Sequence, residues 1–336
     1  MRHVSHYMLA AVATFAAPAI AQQQPAPSND ESSIVVEGVR VSGRQIATFI
    51  DALTDVAVDG QISRFDRVAC PAAMGLTAEQ NAAIVARLRA VAESAGINAG
   101  EPGCRPNVMV VVTRNKRAFI EQLSRRYPVY FNGMQPSEVQ RLAQSPGPAA
   151  AWQVRGLIGP DGQEVPISLP NVSGDPTIST TGSGRAGAYI NGAGENRVSV
   201  LDDDALVGAD FTNLDTTYSP GRLRSAARPH FAGAVVVVEA AALTGLTTTQ
   251  FADYAAMRTF AATDPAAVGR AGVPTILNVV DAPMNSVVPL TMTHWDLSFL
   301  RALYAIPQNH FANIQRSNMR QLITEELFEL SGQPGE

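Results

Sequence analysis

A mixed α/β domain of about two layers is predicted by three observations. Asn107 to Thr113 (NVMVVVT) and Ala234 to Val238 (AVVVV) are unbroken apolar runs, the pattern of strands buried on both faces. Segments with helical spacing and helix-start signals lie around and between them. No fixed-period repeat is present, so strands and helices intersperse in one domain with a mixed sheet and flanking helices.

Ile34-Val35-Val36, the first element, is a short β-branched run ended by Gly38, and Arg44 to Leu53 places Ile46, Phe49, Ile50 and Leu53 at helical spacing. Thr77 and Gln80 form a T-x-x-Q capping pattern for a helix striped by Ile84, Leu88 and Val91 and stopped at Gly96. After the first apolar run, Arg114 to Tyr127 is helical through Phe119, Ile120 and Leu123 until Pro128, and Ser137 is placed to cap a short helix through Leu142. Ser145-Pro146-Gly147-Pro148 is a breaker cluster that marks a sub-boundary near 145–150. Trp152 to Ile158 and Glu164 to Leu169 flank Gly-Pro-Asp-Gly, a hairpin signal. Asn171 to Gly194 is rich in Gly, Ser, Thr and Asn and reads as a long loop or irregular hairpin. Helices then occupy Thr249 to Ala262, Trp295 to Ala305 (with a Thr293–Asp296 cap and a stop at Pro307) and Ile314 to Leu330.

The N-terminus carries an address. Arg2, His3 and His6 precede an Ala-rich apolar run from Tyr7 to Ala17, and Ala19-Ile20-Ala21 is an A-x-A cleavage signal. The run is shorter than the ~20 residues a spanning helix needs. A cleaved signal peptide over 1–21 is expected, with a disordered linker over 22–33 and the domain over 34–332. The mature protein is then soluble, periplasmic or secreted, with no membrane span. In such a compartment two cysteines, Cys70 and Cys104, favour a disulfide, with two free buried thiols as the alternative.

Composition and spacing exclude several chemistries. A net charge of -5 is not a nucleic-acid-binding footprint. Gly182-Ser-Gly-Arg-Ala-Gly187 is a literal G-x-G-x-x-G with Asp202 twenty residues on. The residues after Gly187 cannot make the helix that a dinucleotide needs, so no cofactor is expected. Asp202-Asp203-Asp204, with Asp210 and Asp215, lacks calcium-loop spacing and reads as a turn. The histidines beyond the leader, His230, His294 and His310, include no i, i+4 pair, so no metal site is expected. There is no G-x-S-x-G elbow, and no S-x-x-K precedes Lys116, the single lysine. Arg222, Arg224 and Arg228 cluster before the AVVVV run, and Arg114, Arg117, Arg125 and Arg126 lie with Lys116 near one helix. Either group can contact an anion or form a solvated face with local ion pairs.

Val235 to Phe260 (VVVVEAAALTGLTTTQFADYAAMRTF) and Leu290 to Ala305 (LTMTHWDLSFLRALYA) resemble a group of uncharacterised exported proteins of sphingomonad-type alphaproteobacteria, a domain of unknown function. Asn107 to Phe119 and the two cysteines fit the same group, which implies export and no assigned activity. Val238 to Leu246 is similar in layout to the H-E-x-x-H-x-x-G helix of zincin-like peptidases, with Glu239 and Gly245 matching. Val238, Ala242 and Thr248 stand at the ligand positions, so that likeness implies a metal-free relic of the fold; otherwise Val235 to Val238 is a core strand. Ile34 to Gly38 is also similar to the short segment near the mature N-terminus of TonB-dependent receptors, although the chain is too short for their barrel.

Two functions are carried forward. The first is a non-catalytic envelope binding protein whose partner is an envelope protein or an anionic polymer, met by the 171–194 loop and the arginines. The alternative is a hydrolase whose site is assembled from sequence-distant residues, with His230, Glu239 and His294, together with Asp253 and Asp296, as acid–base candidates.

Overall fold

The computed structural model describes residues 42–54, 60–132, 134–159, 228–263, 269–283 and 286–331, with short pieces at 162, 164–165, 189–190, 197–199, 209–210 and 267. The leader and linker, Ile34 to Gly38, the G-x-G-x-x-G segment, the Asp202 run, Arg222 and Arg224 lie outside the described residues.

The main sheet is mixed. Its strands are β1 (Pro71–Met74), β2 (Val108–Thr113), β3 (Ala149–Ile158), β4 (Glu164–Val165) and a long strand, Arg228–Glu239. Three short strands intervene in the chain, β5 (Tyr189–Ile190), β6 (Arg197–Ser199) and β7 (Ala209–Asp210), so the long strand is β8. The main-sheet order is β1-β2-β8-β3-β4, while β5-β6-β7 form a small antiparallel sheet of their own. Strands β1, β2 and β8 run parallel, and β3 runs antiparallel to β8 with a register shift between Val154 and Arg155.

The helices are α1 (Gly43–Leu53), α2 (Ala78–Ser94), α3 (Lys116–Arg126), α4 (Pro136–Ala143), α5 (Thr248–Phe260), α6 (His294–Ala305) and α7 (Ala312–Ser331). The capping pattern read at Thr77–Gln80 closes as a reciprocal box, as do those at Thr293–Asp296, Ser42–Gln45 and Thr247–Gln250. Helix α4 starts earlier than its sequence suggests. Pro136, with φ already set for a first helical turn, takes that position, so Gln135 rather than Ser137 is the cap residue.

Alternation along the central strands divides the core. Val108, Val110 and Val112 of β2 and Ala234, Val236 and Val238 of β8 face α1, α2, α5, α6 and α7, the larger layer. Their neighbours Val111, Val235 and Val237, with Ala150 and Trp152 of β3, face Ile120 and Leu123 of α3, Phe131 and Ala143. Trp152 stacks on Phe131 at 5.0 Å and donates its indole N–H to the Tyr130 carbonyl at 2.8 Å. Both faces of β2 and β8 are therefore sealed, as their unbroken apolar runs predict.

Cys70, at the head of β1, is joined to Cys104 in the α2–β2 connection, with Cα atoms 6.0 Å apart. Asn107 braces the same corner. Its side chain accepts from the Cys70 N–H at 2.7 Å and donates to the Val68 carbonyl at 3.0 Å. The bridge spans 34 residues. Loop-closure entropy assigns such a link about 3–4 kcal/mol. A Cys70→Ser/Cys104→Ser variant should lose about that much in urea unfolding. An unchanged midpoint would show that the corner is held by Asn107 alone.

Candidate functional site

Because β1, β2 and β8 are parallel, Met74, Thr113 and Glu239 end on one edge of the sheet, and β3 begins there, with Ala149 opposite Val238. In open α/β sheets the crevice outside the carboxyl ends of the strands is where ligands sit. The loops on this edge bring Lys116, Glu239 and Asp281 together.

The centre of that group is Lys116, the first residue of α3. Asn115 caps that helix by accepting from the Ala118 N–H at 2.8 Å. The Lys116 N–H, one of the donors a helix start leaves over, is taken by a Glu239 carboxylate oxygen at 2.9 Å. The Lys116 amine donates to the Ser145 carbonyl (2.6 Å), the Gly147 carbonyl (2.8 Å) and the Ser145 hydroxyl (3.1 Å). Glu239 in turn donates its backbone N–H to the Pro148 carbonyl at 2.9 Å. Burial pushes the amine below the ordinary lysine range, and the Glu239 and Asp281 carboxylates oppose that shift. Asp281 belongs to the same edge, since a side chain added at Gly147 would stand 3.1 Å from its carboxylate.

The Lys116–Ser145 contact joins residues 29 apart and carries no sequence motif. Its polarity is the reverse of a nucleophile with an amine base. The three amine hydrogens all have acceptors, and the Ser145 hydroxyl donates to the Leu142 carbonyl at 2.8 Å. The arrangement clamps the 145–148 turn onto α3.

On α5, the helix after β8, Tyr254 is fully buried. Burial raises its hydroxyl above the ordinary tyrosine range, Arg258 opposes the rise and Asp281 adds to it. The Arg258 guanidinium lies over the Tyr254 ring at 5.9 Å, one helical turn away, and the Arg258 carbonyl accepts from the Gln153 amide at 2.8 Å. Arg258, Asp281 and Ser145 are site residues that sequence reasoning missed. The available signal was an arginine one turn beyond Tyr254 on an otherwise inward-facing stretch.

The sequence candidates do not meet at this edge. His230 is buried near the start of β8, while Glu239 ends the same strand. Nine residues of extended chain separate them by about 30 Å. His230 bridges Arg64, whose guanidinium donates to the Leu303 carbonyl and lies over the Tyr304 ring at 5.6 Å. Burial pushes Arg64 down to about 10 and raises the Tyr304 hydroxyl, which donates to the Phe260 carbonyl at 2.8 Å. Arg228, the described member of its arginine group, pairs with Asp66 at 3.1 Å. His294 opens α6, where burial lowers its imidazole, Glu326 works against that and Arg301 works with it.

Asp253 and Asp296 are framework groups. Asp253 accepts from the Arg87 guanidinium (2.7 and 3.1 Å), the Thr291 hydroxyl (2.7 Å) and the Met292 N–H (2.6 Å). Asp296 accepts from the Thr275 hydroxyl (2.5 Å), the Ile276 N–H (2.9 Å), and the Thr293 hydroxyl (2.8 Å) and N–H (3.0 Å). Burial still raises its carboxyl above the ordinary 3.8, although these bonds pull it down. A raised folded value means the folded chain holds this proton more tightly than the unfolded chain. The stabilisation is therefore full below 3.8 and lost as pH rises through the raised value. Carbon-detected NMR of the Asp296 carboxyl should show a midpoint above the ordinary range. A midpoint at or below it would mean that the four donors outweigh burial.

Val238 and Glu239 close β8, and a single 3-10 turn, Ala240–Leu243, comes directly after them. Among the described residues no group of three or more His, Cys, Asp or Glu is placed to hold a metal ion. Compared with protein-family models, with curated proteins and with solved structures, the chain matches none.

Proposed function

We propose that the protein is an exported, non-catalytic binding protein of the cell envelope. The observation that carries this reading is the separation of His230 from Glu239 and the engagement of Asp253 and Asp296, among the described acid–base candidates. His230 and Glu239 occupy opposite ends of one strand, and Asp253 and Asp296 are consumed by bonds that hold loops to helices. A general acid and base must reach one substrate together, within hydrogen-bond distance or through one water.

Export is supported by the basic, apolar and A-x-A segments at the N-terminus and by the Cys70–Cys104 bond, which oxidising compartments sustain. No helix among the described residues is long and apolar enough to cross a membrane. The partner class is an envelope protein or anionic polymer.

The test uses the oxidised protein recovered from the periplasm or medium. Its N-terminus should read from Gln22. Assayed against ester, peptide, glycoside and phosphoester panels, with metal content measured in parallel, it should turn over nothing and carry no stoichiometric zinc. Turnover that disappears on His230→Ala or His294→Ala substitution would replace this reading with the hydrolase.

A further inference from the structure

Three lysine or arginine side chains are buried among the described residues: Arg64, Lys116 and Arg258. Two are provided for. Lys116 has three oxygen acceptors, and Arg64 has the Leu303 carbonyl, the Tyr304 ring and the nearby Asp66 charge. Arg258 differs. It is 8% exposed, its Nε is buried without an acceptor, and among the described residues its guanidinium has the Tyr254 ring and no hydrogen-bond or ion-pair partner.

No described carboxylate forms an ion pair with this cationic fork. A cation–π contact offsets part of the cost of taking such a charge from water, but removing water from an unpaired ion costs more. Most buried polar groups have a partner in protein or water, so one without a protein partner calls for an explanation.

We propose that Arg258 is a recognition residue for a carboxylate carried by the ligand. The planar guanidinium fork matches a carboxylate in two parallel hydrogen bonds. A monoanion is favoured over a phosphate dianion, because the described charges here, Lys116 and Arg258 against Glu239 and Asp281, already balance and a second negative charge would stand in the field of Asp281. The inference rests on the binding-protein reading for its context and supplies the ligand chemistry that reading leaves open.

The test monitors the Arg258 Nε–Hε resonance and the melting temperature of the oxidised protein during titration with N-acetylglycine, acetate and inorganic phosphate into the tens of millimolar. The two carboxylates should shift the resonance and raise the melting temperature, with phosphate at least tenfold weaker. Arg258→Lys, which keeps the charge and loses the fork, should weaken carboxylate binding at least tenfold. Arg258→Met should abolish the response yet melt, without ligand, at the same temperature or higher, since it removes an unpaired buried charge at similar volume. No carboxylate response in the native protein, or an Arg258→Met variant that melts lower without ligand, would make Arg258 a structural cation and overturn the proposal. Phosphate binding tighter than carboxylate would overturn the ligand class. Turnover in the activity panels would remove the binding-protein reading while leaving the carboxylate response standing, so the two failures are separable.

Discussion

Replacing Asp253 with alanine should destabilise the fold by about 3–5 kcal/mol, the cost of breaking a buried ion pair from one side. The carboxylate is fully buried and receives two guanidinium N–H groups, one hydroxyl and one backbone N–H. These donors come from α2, through Arg87, and from the segment at Thr291 and Met292 that leads into α6. One side chain of α5 thus ties together three parts of the larger helical layer. Truncation removes the acceptor of the Met292 N–H and of two Arg87 N–H groups, while Arg87 keeps its bond to the Thr291 hydroxyl at 2.9 Å. Urea unfolding monitored by the fluorescence of Trp152 and Trp295 should show a lower midpoint at unchanged slope. Adding Arg87→Met to Asp253→Ala should cost less than the sum of the two single changes, because the pair fails as a unit. Additivity, or a loss below about 1 kcal/mol, would place Asp253 outside the framework and reopen it as an acid–base group.

Gly75→Ala should be comparably severe, by at least about 3 kcal/mol, for an unrelated reason. Gly75 turns the chain from β1 into α2 at φ +99, and a Cβ there would stand 2.0 Å from the Val112 carbonyl oxygen on β2. The obstacle is backbone in a central strand, so it has little room to yield. Gly96→Ala is the control. Gly96 also has positive φ, +73, but a Cβ would meet nothing within 4 Å. Its cost should be the conformational term alone, about 1 kcal/mol. Similar losses for both variants would mean that the β1–α2 turn relaxes away from Val112.

Local signals in the sequence carried much of this architecture. The Thr77–Gln80 and Thr293–Asp296 patterns mark helix starts because each box closes within four residues. The stripe Ile84, Leu88, Val91 and the trio Ile46, Phe49, Ile50 are buried as their spacing requires. The runs at Val108 and Ala234 became the two central parallel strands. The features that could not be read were set by contacts distant along the chain. Asp253 meets Arg87 across 166 residues and Met292 across 39, so a carboxylate on an apolar helix looked as much like a catalytic acid as a strut. The charged edge had the same difficulty: Lys116 reaches Ser145, and Glu239 reaches back 123 residues to Lys116. Arg258 was hidden in another way. Its meaning depends on which acceptors are missing around it, and linear spacing has no symbol for that.

The enclosure of Lys116 also sets how the protein meets reagents. The chain has one lysine, and in the fold it is 4% exposed with every amine hydrogen engaged. Succinimidyl esters and aldehydes will therefore find the terminal amino group and little else until the molecule unfolds. A second label appearing in a mass spectrum thus reports the release of the 145–148 turn, an internal gauge of opening that needs no engineered probe.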